Sequence, residues 1–296
     1  MKIIITGSNG QVGWELKRQG ANSKHQIIAF DRQQLDIQDK NKINEKITEY
    51  QPDLVINAAA YTAVDQAEKD DELAFSINRD AVANLAEACY EASIPLFHIS
   101  TDYVFDGSAK IPYMETDFVS PLGVYGKSKY EGEVAVRRIL EQHIIIRTSW
   151  VFGLHGNNFV KTILRVAAER DELKVVNDQI GNPTSARSIA SALLEICDQY
   201  AEGNDIAWGT YHFSGDSVTS WYGFAKQIVL LAKKYHLIDH DVKIDPIPTS
   251  EYPTLAQRPA NSQLATDLIQ ENFSIDPDDW QSSLDDMLSR LAKKEL

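Results

Sequence analysis

Residues 2–19 read KIIITGSNGQVGWELKRQ, and the placing of three glycines within them decides the fold. The β-branched run Ile3-Ile4-Ile5-Thr6 passes directly into Gly7-Ser8-Asn9-Gly10-Gln11-Val12-Gly13, and a helical pattern starts at Gln11. In a strand-to-helix turn spaced GxxGxxG, the first glycine permits the tight turn and the second lets backbone approach a pyrophosphate. The third lets helix and strand pack closely. The free N–H groups at the helix N-terminus then stabilise negative charge. Gly7, Asn9, Gly10, Gln11, Val12 and Gly13 are therefore the first candidates for contact with a dinucleotide.

The next apolar run, 26–31, ends in Asp31-Arg32, about 20 residues beyond the turn, where an acidic side chain accepts hydrogen bonds from the adenosine ribose. An Asp there favours NADH by repelling a 2′-phosphate, whereas Arg32 can pair with that phosphate, so NADPH and NADH both remain open. Asp36 and Ile37 are candidates to flank the adenine. Ala58, Ala59 and Ala60 follow a strand expected at 53–57 and are small enough for a cofactor to approach the backbone.

The alternation continues with a helix expected at 40–50, a long helical stretch at 66–92, a strand at 95–100, a helix at 121–142 and a strand at 144–148. Strands with no solvent face, alternating with helices, imply a parallel sheet covered on both sides, a doubly wound α/β domain of Rossmann type. Past residue 150 glycine and proline punctuation rises. Residues 1–153 are read as the dinucleotide-binding domain, with 185–213 returning to extend its sheet. Residues 154–296 are read as mainly a smaller, discontinuous substrate-binding lobe, with 156–180 and 240–296 over the strand ends.

A chain of 296 residues, 43% apolar, can bury a full core, and its net charge of −14 argues against nucleic acid or an anionic membrane surface as the main partner. Small anionic ligands remain possible, because a helix N-terminus binds them locally. MKIIITG lacks the pattern of a signal peptide, and a cytoplasmic protein is the expectation. Cys89 and Cys197 sit in apolar helical stretches as packing residues. The seven histidines, at 25, 98, 143, 155, 212, 236 and 240, show no metal-ligand spacing, and His98 reads as a core residue. No metal is expected.

The fourth strand delivers Ser100-Thr101-Asp102-Tyr103 at its C-terminal end, and Tyr125-Gly-Lys-Ser-Lys129 follows. Tyr125 and Lys129, at i and i+4, share one helix face. Reducing a ketone by hydride transfer needs a proton donor for the developing alkoxide, and an ordinary phenol is a poor one at neutral pH. An adjacent ammonium, Lys129, is expected to lower the Tyr125 pKa, with Thr101 donating to the substrate carbonyl.

With these motifs the whole chain resembles the extended short-chain dehydrogenases, most closely the dTDP-4-dehydrorhamnose reductase family. The likeness is carried by GSNGQVGWEL, NAAAYTAVDQAE, STDYVFDG, the Pro121–Lys129 run, RTSWVFG, GNNFVKTILRVA, NDQIGNPT and RPANSQL. The resemblance implies a catalytic trio of Thr101, Tyr125 and Lys129, the last two also touching the cofactor. It implies dinucleotide contact at Ala60, Tyr61 and Thr62, and a dTDP-linked keto-sugar met by Val64, Asp102, Tyr103 and Trp150. Arg258 and Asn158 are the candidates for the nucleotide phosphates. Tyr103 stands where dehydrating relatives carry Glu, and neither cysteine is placed as in epimerising ones. Two alternatives stay open: a reductase of another nucleotide-linked keto-sugar, and a non-catalytic subunit like the regulatory one of S-adenosylmethionine synthetase. Many relatives self-associate, which leaves a homodimer open as well.

Overall fold

A computed structural model describes residues 1–294; Glu295 and Leu296, the end of the expected second lobe, lie outside the described residues. β1 (Lys2–Thr6) leads through the glycine turn into α1 (Gln11–Gly20), followed by β2 (Gln26–Phe30), α2 (Lys40–Tyr50) and β3 (Leu54–Asn57). Then come α3 (Val64–Ala67), α4 (Asp71–Phe75), a π-helical turn at Ser76–Asp80 and α5 (Ala81–Ala92). β4 (Leu96–Thr101) ends in a 3-10 turn at Asp102–Val104, and α6 (Val124–Ile139) and β5 (His143–Thr148) follow. The remaining chain forms β6 (Val151–Phe152), α7 (Phe159–Ala167), β7 (Glu172–Val176), β8 (Ile180–Gly181), β9 (Thr184–Ser185) and α8 (Ala186–Ala201). It continues through β10 (Gly209–His212), β11 (Thr219–Ser220), α9 (Trp221–Lys234), β12 (Lys243–Ile247), α10 (Asp267–Phe273) and α11 (Trp280–Ala292).

Six strands form one sheet in the order β2-β1-β3-β4-β5-β10, every neighbouring pair parallel. Successive strand side chains point to opposite faces, and here both faces are covered. Ile3, Ile5, Leu54, Ile56, Phe97 and Ile144 pack against Leu16 of α1 and Ile189 and Leu193 of α8. Ile4, Val55, Leu96 and Ile145 pack against Ile43 of α2, Leu85 of α5 and Val136 of α6. Each fully buried Ile or Leu contributes roughly 1.5–3 kcal/mol, which fixes the strand register and with it the positions of the strand ends.

A separate apolar cluster joins Phe152, Val160, Leu173, Phe224, Ile228, Trp280 and Leu284. Within 240–296 the structure departs from a uniform placement over the strand ends. Ile269 and Phe273 of α10 enter the sheet core, where Phe273 meets Tyr211 of β10 edge-on at 5.0 Å.

Two helices differ from expectation. The stretch 66–92 is broken because Asp70 accepts from Tyr61 Oη (3.2 Å) and Gln66 Nε2 (3.0 Å), closing a turn. The following π turn orients Asn78, whose Oδ1 accepts from Tyr61 N (2.8 Å) while Nδ2 donates to Tyr61 O (3.1 Å) and Ser128 Oγ (3.0 Å). A π turn at such a place ties the loop after β3 to α6. The helix expected at 121–142 begins only at Val124, after Gly123 in extended backbone. Among the described residues, no helix is long and apolar enough to cross a membrane.

Candidate active site

The chain winds outward from β1 in both directions, to β2 on one side and β3 on the other, so a crevice opens between the ends of β1 and β3. Gly7 lines it at φ +72°, and a Cβ there would lie 2.6 Å from Ala59 N. A Cβ on Gly13 would lie 2.2 Å from Gly7 O, so α1 can start where it does only with glycine at both places. Asn9 and Gly10 are exposed at the tip, Gln11 is half-buried, and Val12 is buried in the sheet core.

At the end of β2, Asn9, Asp31, Arg32, Gln33 and Asp36 line a cleft of about 500 Å³. Asp31 Oδ1 accepts from Gln33 N (2.9 Å) and Gln34 N (3.0 Å), and Oδ2 accepts from Asn9 Nδ2 (3.1 Å), so this carboxylate ties its own loop to the glycine turn. The Arg32 side chain is 67% exposed and reaches Asp36 at 3.4 Å, a loosely held cation at the cleft mouth. Ile37 departs from expectation: its side chain is buried with Ile43 and Val55 rather than lining the cleft. Ala58, Ala59 and Ala60 are half-buried along the crevice, Tyr61 is anchored by Asn78, and Thr62 is exposed. The glycine cradle without Cβ atoms, the helix N-terminus and the Asp31–Arg32 pair fit a dinucleotide.

Thr101 is the last residue of β4, and Tyr125 and Lys129 occupy the first turns of α6. A Cβ on Gly126 would lie 2.1 Å from Tyr103 O, so this glycine lets α6 rest directly on the turn after β4. The rings of Tyr103 and Tyr125 consequently meet edge-on at 5.4 Å. Thr101 Oγ1 donates to Asp102 Oδ1 (2.9 Å) and accepts from Tyr103 N (3.2 Å). Burial pushes the Tyr125 phenol above its ordinary value, a hydrogen bond with Thr101 opposing it in part.

Lys129 is 2% exposed. Its Nζ donates to Ile99 O (2.6 Å) and lies 3.3 Å from His98 Nε2. The expected lowering of the Tyr125 pKa by Lys129 is therefore not what the structure shows. The amine turns toward β4 rather than to the phenol, and burial pulls it down to about 8 against the pull of Glu133. Asp102, 3% exposed, is pushed up to about 6 by burial, opposed by hydrogen bonds from Ser262 and Thr101.

Arg258 reaches the same place from the Pro-rich loop. Its Nη1 donates to Tyr103 Oη (2.9 Å), and its Nη2 pairs with Asp65 Oδ2 at 2.6 Å, one residue after half-buried Val64. Trp150 stands just beyond β5 at φ +48° and stacks on Trp221, ring centroids 3.5 Å apart. Asn158 differs from the expectation of a free phosphate ligand. Its Oδ1 caps α7 by accepting from Lys161 N (3.1 Å), and its Nδ2 donates to Gln11 Oε1 (3.0 Å) and Gly153 O (2.8 Å). The side chain is committed to joining the segment after β6 to the glycine turn.

Asp65, Trp221 and the buried Glu133–Arg147 pair were not singled out from the sequence. For the last, the signal was present: an Arg inside the apolar strand HIIIRT needs a buried counter-charge. Its partner is Glu133, one turn beyond Lys129.

The RmlD substrate binding domain family matches residues 1–293. A dTDP-4-dehydrorhamnose reductase of Aggregatibacter actinomycetemcomitans is 46% identical over 284 residues, 96% of this chain and 97% of its own. Among solved structures, a dTDP-4-dehydrorhamnose reductase from Clostridium acetobutylicum has a TM-score of 0.90 at 40% identity, covering 98% of this chain and 99% of that one. Another from Bacillus anthracis, in complex with NADP, has a TM-score of 0.89 at 36% identity and covers 97% and 98%. With the glycine crevice and the Thr101–Tyr125–Lys129 edge continuous with this end-to-end likeness, the chain belongs to the dTDP-4-dehydrorhamnose reductase family.

Proposed function

We propose that the protein reduces the 4-keto group of dTDP-4-dehydro-L-rhamnose to dTDP-L-rhamnose, with NADPH as the cofactor. The observation that carries this reading is the hydrogen bond of Thr101, at the end of β4, with Tyr125, one helical turn before Lys129 and one strand from the crevice, in a chain matched by reductases over nearly its full length. When bound, the nicotinamide supplies a hydride to the keto carbon. Tyr125, whose phenol burial keeps protonated, gives its proton to the keto oxygen as negative charge develops there. Thr101 donates to the same oxygen when its hydroxyl turns from Asp102 Oδ1 to the sugar. Lys129 holds the nicotinamide ribose.

Asp65 keeps Arg258 oriented, and a diphosphate, carrying more charge than one carboxylate, competes for the guanidinium. Trp150 and Trp221 form a flat wall for the sugar. The loosely held Arg32 suits a 2′-phosphate, and the hydrogen bonds that Asp31 accepts from Asn9, Gln33 and Gln34 share its charge with neighbouring donors. In this reading residues 1–153 and 185–213 hold the cofactor, and most of 154–294 holds the dTDP-sugar.

The test is oxidation of NADPH or NADH, followed by loss of the reduced-nicotinamide absorbance, with enzymatically prepared dTDP-4-dehydro-L-rhamnose. Turnover that falls roughly 10²–10⁴-fold in Tyr125→Phe supports the reading. Binding of both cofactors with no turnover on this sugar overturns the substrate assignment.

A further inference from the structure

Gln11, Trp14, Glu15 and Arg18 stand at i, i+3, i+4 and i+7 of α1, which sets them along one face of the helix that leaves the glycine turn. Onto this face docks the segment 153–158, which joins β6 to α7 in the second lobe. Asn158 donates to Gln11 Oε1, and at Gly156, with φ +73°, the backbone passes so close that a Cβ would lie 3.3 Å from Gln11 Cγ. Lys161 Nζ donates to the carbonyls of Leu154 and Gly156, closing the segment on itself.

Half-buried His155 makes the central contact. Its ring stacks on Trp14, with centroids 5.4 Å apart and planes within 3°. Arg18 lies over the same indole at 5.6 Å and pairs with buried Glu15 at 2.6 Å, so the platform under the imidazole is rooted in α1 itself. His155 Nε2 is 3.0 Å from Asn9 O. A carbonyl oxygen only accepts, so Nε2 carries the proton and donates.

Within the turn, Gly10 N donates to Gly7 O (2.9 Å), and the helix ladder begins with Trp14 N donating to Gly10 O (2.9 Å). Asn9 O, one residue earlier, stands outside that ladder and takes its donor from the second lobe. The peptide joining Asn9 to Gly10 is therefore held on both sides, its N–H by Gly7 O and its C=O by His155. A flip of this peptide would set its oxygen against Gly7 O and remake the turn. Held as it is, the turn leaves the first N–H groups of α1 for an anion.

We propose that His155 is a positioning residue for the cofactor: from the second lobe, it holds the Asn9–Gly10 peptide in the orientation in which the glycine turn takes the diphosphate of the dinucleotide. The inference rests on the reading of NADPH as the cofactor. It makes the diphosphate site a property of both lobes. The segment that carries His155 runs on into Phe159, whose ring lies 4.6 Å from that of Trp221 in the wall assigned to the sugar.

The test measures, by calorimetry, the Kd of NADPH and of 2′-AMP, which is the adenosine end without the diphosphate. His155→Phe keeps a flat ring for Trp14 and removes the donor, whereas His155→Gln keeps a donor and removes the ring. His155→Phe should weaken NADPH about 2- to 10-fold, as for one lost hydrogen bond, and leave 2′-AMP unchanged. His155→Gln should restore most of the NADPH affinity. Equal NADPH affinity of His155→Phe and the unaltered protein overturns the proposal. So does an equal loss for NADPH and 2′-AMP, which marks a general loosening, or a His155→Gln as weak as His155→Phe. ¹⁵N-histidine NMR of the unaltered protein at pH 8 gives a second reading, with His155 assigned through its contacts to the Trp14 ring. The Nε2–H tautomer is expected, its Nε2 signal moving on addition of NADPH and not of 2′-AMP. An Nδ1–H ring, or a signal indifferent to NADPH, also overturns the proposal, and this reading decides if the variants do not fold. An unaltered protein that binds no NADPH sinks the cofactor reading and this inference together, whereas NADPH binding that ignores His155 sinks the inference alone.

Discussion

Lys129 and Glu133 lie one helical turn apart on α6, both out of solvent, and the fold treats their charges in opposite ways. Glu133 accepts from Arg147 Nε (2.9 Å) and Nη2 (2.7 Å), from Arg137 Nη1 (3.0 Å) and from Ser100 Oγ (2.6 Å). These partners hold its carboxyl below the ordinary value although burial pushes the other way. Lys129 meets a carbonyl and a neutral ring, and burial brings its amine down to about 8. The desolvation is alike, and the difference lies in the counter-charges supplied. A charge that holds the structure together is fully matched, while one used in chemistry is left short so that its proton can come and go.

The comparison breaks most sharply in activity. Lys129→Met should lower turnover roughly 10²–10⁴-fold yet leave the fold intact. Stability even carries a sign. The folded-state pKa of about 8 lies below the unfolded value of 10.5, so between them the unfolded chain binds more protons, and stability rises with pH across that window. Thermal unfolding should show Lys129→Met gaining on the unaltered protein below about pH 8 and losing that advantage as pH approaches 10.5.

On the structural side, Glu133→Gln leaves Arg147 buried without a full counter-charge and should cost about 3–5 kcal/mol in urea unfolding. The double change Glu133→Leu with Arg147→Met removes both charges and should recover most of that loss. A double variant no better than Glu133→Gln would remove the basis of the comparison. The smallest effect is expected at the open end of the crevice, where charges are solvated. Arg32→Ala should lower the NADPH-to-NADH ratio of kcat/KM only several-fold, corresponding to about 1 kcal/mol for an exposed ion pair.

Much of this is legible in the sequence. The apolar strands and the glycine turn specify a parallel sheet, and Thr101, Tyr125 and Lys129 could be grouped because each stands at a strand end or within one helix turn. What surrounds Lys129 was not legible, because His98 meets Asn57 only through the β3–β4 register, a property of the assembled sheet. The break in 66–92 was equally hidden, since it depends on Asp70 meeting Tyr61, and the π turn after it on Asn78 meeting Tyr61 and Ser128, distant in sequence. Asn158 illustrates a different difficulty. An Asn preceding an apolar helix is first an N-cap, and NNFVKTIL carried that signal, yet the same side chain also resembles a phosphate ligand.

The indoles of Trp150 and Trp221 lie parallel within 8° at 3.5 Å, one just past the sheet and the other at the start of α9. Two chromophores so close couple their electronic transitions, and in a chiral setting the coupling splits the near-ultraviolet circular dichroism into a paired signal of opposite signs. The molecule therefore carries an internal optical reporter on the apolar cluster of its second lobe, against which both rings pack, and separation of the segment after β5 from α9 would be visible without any label.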